Sequence, residues 1–370
     1  MAEATGRLKI VHTEASLGWG GQEIRILTEA KGMIGRGHQV TLLCPAHARL
    51  HAEAQRQRIP VVALPIDRKR IRGIAALRRW LKENPVDVIN THSSTDSWLA
   101  ALATRWWSGA PPIVRTRHIS AAVPGNQPTR WLYQSATRHI VTTGERIRRA
   151  LIDENRFNPE TIVSIPTGVD TTHFVPGDRT ASRAALDLPP SGFLIGIVAT
   201  LRSWKGHRYL LQAFARLRDR NARLVIVGDG PQREALQQEL IALGIQDRVT
   251  MPGDQRNVVP WLQALDIFVL PSYANEGVPQ AIVQAMLCGL PVISTRVGSI
   301  DEVVRDQETG LLIAPHDSAQ IVEAIEMLSA DSARRQLMGK RARAVAEREF
   351  GIDAMLNEME TLFRATTTSR

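Results

Sequence analysis

The 370-residue chain has two cysteines, Cys44 and Cys288, far apart and each within an apolar stretch. That excludes a disulfide framework and argues against a metal cluster; both thiols read as small buried hydrophobes in a reducing compartment. No apolar run comes near the ~20 residues that span a bilayer, residues 265–271 (LDIFVLP) being typical of the longest. The opening MAEATGRLKIVHTE has no apolar core of the kind a secretory signal needs, so a cytoplasmic protein is expected, with peripheral contact to the inner membrane face left open. Short internal repeats and low-complexity segments are absent. Aspartates and histidines do not cluster as metal ligands would, and aromatics do not interleave with the basic residues as they do on RNA- or DNA-binding modules. Neither a metal nor a nucleic-acid partner is expected.

What the chain has is an ordinary globular composition, 44% hydrophobic and 22% charged, at a length that suits two domains. Its net charge of +9 is unevenly spread. Residues 1–175 hold 24 Lys and Arg against 14 Asp and Glu, whereas residues 176–370 hold 22 against 23. The basic character belongs to one half, and so must its explanation.

Short β-branched runs alternate with segments of helical period throughout. Strands are expected at Leu8–Thr13, Gln39–Cys44, Val61–Leu64, Val86–Thr91, Ile113–Thr116, Ile140–Thr142 and Ile162–Ile165. In the second half they are expected at Leu194–Ala199, Leu224–Gly228, Val249–Pro252, Ile267–Leu270, Val292–Ser294 and Gly310–Ile313. Helical spacing links them, as in Ile71, Ile74, Leu77, Trp80 and Leu81, or over 206–218, 231–243, 279–288, 317–329 and 331–347. Such alternation predicts an α/β protein with two doubly wound parallel sheets, separated by the Pro-, Gly- and Asp-rich segment 166–192. The final stretch, Phe350–Phe363, reads as a helix.

Chemistry-bearing residues sit where strands end. Gly18-Trp19-Gly20-Gly21-Gln22-Glu23 follows the first strand and opens a helix, which permits close backbone approach to a ligand and favours an anion at the helix start. It is not a dinucleotide fingerprint, since Glu23 stands where a third glycine belongs; the alternative is a plain tight turn. Arg202-Ser203-Trp204-Lys205-Gly206 follows Leu194–Ala199, and two cations at that position suit a diphosphate, unless the loop is merely solvated. Val227-Gly228-Asp229-Gly230-Pro231 is adequately explained as a turn into a helix. Glu276-Gly277-Val278-Pro279 follows Ile267–Leu270 and opens an apolar helix, so a carboxylate and free amides could hold sugar hydroxyls and phosphate oxygens. Gln284, eight residues on, would lie along the same wall.

The run PSYANEGVPQAIVQAMLCGLPVIST (271–295), followed by VGSIDEVV (297–304), resembles the donor-site signature of retaining GT-B glycosyltransferases of family 4. Lys205-Gly206, VGDGP at 227–231 and PTGVD at 166–170 are similar to further segments of that family, as are Gly20-Gly21 with Glu23 and Thr116-Arg117-His118. The resemblance spans nearly the whole chain. It implies two Rossmann-like domains facing across a cleft: residues 1–175 on the acceptor side, 176–345 holding a nucleotide-sugar donor, and 346–370 a helix packing back on the first domain. By the same resemblance Arg202 and Lys205 would grip the donor diphosphate. Glu276 would bind sugar hydroxyls, assisted by amides of Gly277, Val278, Pro279 and Gln280. Gly20 and Gly21 would lie near phosphate and acceptor, and His118 would point toward the transferred sugar. Two positions depart from the family pattern: Gln284 replaces its second Glu, a usual ribose ligand, and Thr200 stands where an Arg is common. The implied activity is a retaining, metal-independent transfer from a nucleotide diphosphate sugar, a co-substrate and not a resident cofactor, to an envelope glycan or lipid-linked acceptor. The alternatives are a nucleotide-sugar epimerase or hydrolase and a non-catalytic nucleotide-sugar-binding protein.

The segment Arg68–Lys82 carries seven cations in fifteen residues around Trp80. It reads either as a helix docked through Ile74, Leu77 and Leu81 with a solvated cationic face, or as a site for anionic membrane.

Overall fold

Strands covered by helices on both faces must be apolar throughout, and this is what the β-branched runs provide. The computed structural model describes residues 6–368. All thirteen expected strands form, each within two residues of the expected ends, and all pair in parallel. The chain divides into two compact units.

The first unit runs to Pro166 and regains the chain at Asp353. Its strands are β1 (Lys9–Thr13), β2 (Gln39–Cys44), β3 (Val61–Ala63), β4 (Val88–Thr91), β5 (Ile113–Arg117), β6 (His139–Thr142) and β7 (Ile162–Ser164), in the order β3-β2-β1-β4-β5-β6-β7. The order reverses between β1 and β4, the switch point at which doubly wound sheets open a crevice. Val11, Leu43, Ile89, Ile113 and Ile140 form the centre of its core, with Leu77, Leu81 and Leu99 from the covering helices. The C-terminal helix Ile352–Thr368 packs here. Phe363 is fully buried, Leu356 fills the space beside Gly32, and Glu360 meets Arg36 at 3.2 Å and His38 at 3.2 Å.

The second unit spans Thr167–Ile352. Its six strands are β8 (Leu194–Val198), β9 (Arg223–Val227), β10 (Val249–Gly253), β11 (Ile267–Leu270), β12 (Val292–Thr295) and β13 (Gly310–Ile313), in the order β10-β9-β8-β11-β12-β13. The reversal falls between β8 and β11. Ile195, Ile226, Phe268, Ile293 and Phe214 anchor a separate core. Segment 166–192 differs from the irregular connection that its composition suggests. It contains the helix Arg179–Ala185, whose first amides at Thr180 and Ala181 are capped by the Asp178 carboxylate at 2.8 and 3.1 Å. The passage from one unit to the other lies at Pro166, ahead of the expected 175/176 division.

The basic segment forms the helix Ile71–Glu83. Leu77 and Leu81 are buried and Ile74 half-buried, so its apolar stripe faces the sheet while Arg72, Arg79 and Lys82 face solvent. Cys44 and Cys288 are both free thiols and both buried.

Candidate functional site

In the second unit the switch point brings together two residues that lie 71 positions apart. Lys205 ends the short turn Ser203–Lys205 after β8, and Glu276 sits in the loop after β11, the strand next to it. Lys205 Nζ donates to Glu276 Oε1 at 2.7 Å and Oε2 at 3.0 Å. The Glu276 side chain is 5% exposed and the Lys205 side chain 18%, so the pair is largely withdrawn from water. Ser272 donates its hydroxyl to the same carboxylate oxygen at 2.7 Å.

The backbone under this pair is tightly fixed. Tyr273 N donates to Trp204 O at 2.8 Å, lacing the two loops together, and Thr295 Oγ1 donates to Ser272 O at 2.5 Å. Gly206 has φ +78° and would place a Cβ 2.0 Å from Pro271 O; Gly298 has φ +60° and would place one 2.0 Å from Glu276 O. Glycine is required at both for conformation and for space.

Gly277, Val278 and Pro279 are buried between Glu276 and the helix Gln280–Leu287, and Pro279 O accepts from Ile282 N at 3.1 Å at the start of that helix. Gln280 and Gln284, four apart, share one face of that helix and are both half-buried. Arg202 is exposed, its guanidinium 5.6 Å from the Trp204 ring centre. It does not join the Lys205–Glu276 pair, so the two cations expected to act together stand in different environments. His207, just past Gly206, is buried; desolvation, and then the Lys205 charge, push its imidazole down to about 3.

In the first unit the glycine-rich loop follows β1. Gly20 is extended and Gly21 starts the helix Gly21–Gly35. Glu14, beside that loop, is 1% exposed; its carboxylate accepts from Ser16 N at 2.7 Å and from the Gln22 side chain. Burial, then the Asp96 charge, push its carboxyl up to about 8. His118 follows β5 and is half-buried. Its Nε2 is 3.0 Å from His92 Nδ1, and His92 Nε2 is 2.9 Å from His12 Nδ1. Behind His12 lie Glu29 and Arg25, both fully buried, with Arg25 Nε 3.5 Å from Glu29 Oε2. Sequence reasoning singled out His118 but neither His12 nor His92, since a lone histidine in an apolar strand reads as core. Ser272 lay inside the quoted run, yet its bond to Glu276 carries no local signature.

Among the described residues no group of three or more His, Cys, Asp or Glu side chains is arranged to hold a metal ion, and no helix is long and apolar enough to cross a membrane.

Residues 178–345 match the family described as Glycosyl transferases group 1, and residues 19–173 match Glycosyltransferase Family 4. A protein named D-inositol 3-phosphate glycosyltransferase, from Xylanimonas cellulosilytica, is 31% identical over 330 residues, covering 80% of this chain and 76% of that protein. The chain belongs to the GT-B glycosyltransferases. A protein of the same name from Nocardia farcinica is 33% identical over 289 residues, which cover 70% of this chain and 62% of its own length. This glycosyltransferase therefore spans less than two thirds of some of the curated relatives it matches. Its fold is similar to that of Anabaena Alr3699/HepE, solved in complex with UDP-glucose, at a TM-score of 0.87, 22% identity and coverage of 97% of this chain and all of that one. The matched segments contain Lys205, Glu276 and Gln284 on one side and Gly20, Gly21 and His118 on the other.

Proposed function

We propose that this glycosyltransferase moves a sugar from a nucleotide diphosphate sugar to a phosphorylated or lipid-linked acceptor of envelope glycan synthesis, with retention at the anomeric carbon and without a metal. The observation that carries the reading is the Lys205–Glu276 pair at the reversal between β8 and β11. An ammonium at a switch point, held through both oxygens of a carboxylate that a hydroxyl also reaches, suits a ligand with a diphosphate next to a polyol.

In this reading Lys205, with Arg202, neutralises the leaving diphosphate as the glycosidic C–O bond breaks. Glu276 and the amides from Gly277 to Gln280 hold the sugar hydroxyls, and Gln284 meets the ribose through an uncharged amide. His118 orients the transferred sugar, and Gly20 and Gly21 admit phosphate or acceptor. Attack by the acceptor oxygen on the face the diphosphate leaves retains configuration, its proton passing to the departing phosphate oxygen. No side chain at the switch point needs to form a covalent intermediate.

The basic first unit suits an anionic acceptor. Arg72, Arg79 and Lys82 face solvent on the helix Ile71–Glu83, and Trp106 nearby in sequence to the Trp107 that Arg78 and Lys82 approach is 87% exposed. Cations beside an exposed Trp fit an anionic bilayer surface. A second reading, a small phosphorylated polyol as acceptor, is favoured by the names of the relatives.

Nucleotide release from UDP-, GDP- and ADP-sugars, measured with inositol 3-phosphate, with lipid-linked acceptor and with none, tests both. Acceptor-dependent release supports transfer. Release that no acceptor changes supports a hydrolase, binding without release supports a non-catalytic protein, and either overturns the proposal. Sedimentation with anionic vesicles at low and high salt tests the membrane surface, and no binding at low salt removes it.

A further inference from the structure

Three imidazoles form a line across the carboxyl edge of the seven-stranded sheet. His12 lies in β1, His92 follows β4 and His118 follows β5, and these strands are neighbours in the order β1-β4-β5. Each contact joins an Nδ1 to an Nε2: His12 Nδ1 to His92 Nε2 at 2.9 Å, and His92 Nδ1 to His118 Nε2 at 3.0 Å. A neutral imidazole has one N–H and one lone pair. The line therefore has two consistent proton arrangements. Either every ring is protonated at Nδ1 and points its donor toward His118, or every ring is protonated at Nε2 and points it toward His12. A choice made at one end fixes all three.

The His12 end makes that choice. Its Nε2 lies 3.9 Å from Glu29 Oε1, with both side chains fully buried. Glu29 faces Arg25 at 3.5 Å and accepts from Asn90 Nδ2 at 3.2 Å; Asn90 Oδ1 in turn accepts from Thr116. Phe363 closes His12 from the C-terminal helix. Burial raises the Glu29 carboxyl, but the adjacent guanidinium opposes that, and an ionised pair leaves no net buried charge. In so dry a setting a carboxylate repels the lone pair of a facing nitrogen and attracts its proton. His12 thus carries its proton on Nε2. The same burial holds His12 down to about 3 and His92 well below the ordinary imidazole value; His118, half-buried at the end of the line, is also held well below it by partial desolvation and then by Arg25, so the line stays neutral.

We propose that Glu29, His12 and His92 are positioning residues that hold His118 in the Nε2–H tautomer, so that its remaining nitrogen, Nδ1, is offered as a hydrogen-bond acceptor. No partner takes that Nδ1 among the described residues, and His118 is the one imidazole of the three that is not buried. A bare nitrogen accepts from a hydroxyl and repels a phosphate oxygen. His118 therefore selects a polyol O–H and not the anionic part of a ligand. The last step rests on the reading of His118 as facing the transferred sugar; the tautomer does not.

The test uses the full chain labelled with 15N at histidine. Long-range 1H–15N correlations at pH 7 report the tautomer of each ring, with His12→Gln, His92→Gln and His118→Gln spectra assigning the signals. Three neutral Nε2–H rings are expected. An Nδ1–H or imidazolium form of His118 overturns the proposal. In His92→Phe the partner of His118 Nε2 is lost, and a mixture of His118 tautomers with a turnover about tenfold lower is expected. His92→Gln, which supplies both an acceptor and a donor, should restore part of it. An unchanged His118 tautomer in His92→Phe also overturns the proposal, and if that variant fails to fold the wild-type spectrum still decides. Absence of sugar transfer with every donor sinks the functional reading alone, because the tautomer is read without substrate.

Discussion

Replacing Lys205 by Met keeps an unbranched side chain one atom shorter and removes its charge, and the structure predicts two separate losses. The first is kinetic. If Lys205 stabilises the leaving diphosphate, turnover should fall by about 10²–10³, or ~3–4 kcal/mol of transition-state stabilisation, the usual size for one preorganised donor. The second is in folding. Glu276 is 4% exposed and would keep only the Ser272 hydroxyl, leaving a carboxylate largely out of water without its cation. Breaking a buried pair in this way costs about 3–5 kcal/mol, and the partial exposure of Lys205 places this case near the lower end. The two effects part company in the double variant. Lys205→Met with Glu276→Gln removes the stranded charge, so urea unfolding should show about 2 kcal/mol regained relative to the sum of the single variants. Transfer should be no higher than in Lys205→Met, since Glu276 is itself assigned to the sugar hydroxyls. Donor-dependent nucleotide release and urea midpoints on the four proteins give both quantities. Turnover within about threefold of wild type in Lys205→Met would refute the role given to the ammonium. Strict additivity of the two stability changes would refute the pairing itself.

Gly298→Ala should destabilise the second unit by about 2 kcal/mol and weaken donor binding, because its Cβ would meet Glu276 O at 2.0 Å with φ at +60°. Gly35→Ala, where a Cβ meets nothing within 4 Å, is the control and should be neutral or slightly stabilising in the same thermal melt. His207 gives a pH dependence with a definite sign. Its folded value of about 3 lies below the ordinary 6.5, so below pH 6.5 the unfolded chain takes up a proton that the folded one does not. The contribution is complete above 6.5 and is lost as pH falls toward 3. Acidification from pH 7 to 4.5 should thus cost wild type about 3 kcal/mol more than it costs His207→Leu, measured by urea midpoints at the two pH values. Cys44 and Cys288, buried and pushed up to about 12, should resist a thiol-specific maleimide at pH 8 until urea unfolds the chain; fast labelling in native buffer would contradict their burial.

The strands were legible because burial on both faces imposes one rule at every position, and a local run such as Ile267–Leu270 satisfies it without reference to anything distant. The helix Arg179–Ala185 has one local signal, Asp178 standing as an N-cap just after Pro176-Gly177, and the loop-like composition of the stretch outweighs it. The site residues divide differently. Glu276 and Lys205 could each be placed at the end of a strand from sequence, but their pairing depends on β8 and β11 being neighbours, which requires the strand order. The same holds more strongly for the imidazoles. His12 and His92 lie 80 residues apart and His92 and His118 lie 26 apart, and nothing local separates a histidine bonded to another histidine from one packed in a core. Only the order β1-β4-β5 brings the three side by side. Sheet topology thus does for function what hydrophobic periodicity does for fold. Both units place their reversal next to the residues with unusual environments: the ion pair between β8 and β11, and the histidine line across β1, β4 and β5. A parallel sheet converts distant strand-end residues into neighbours, so its chemistry is encoded pairwise at long range, whereas its architecture is encoded residue by residue.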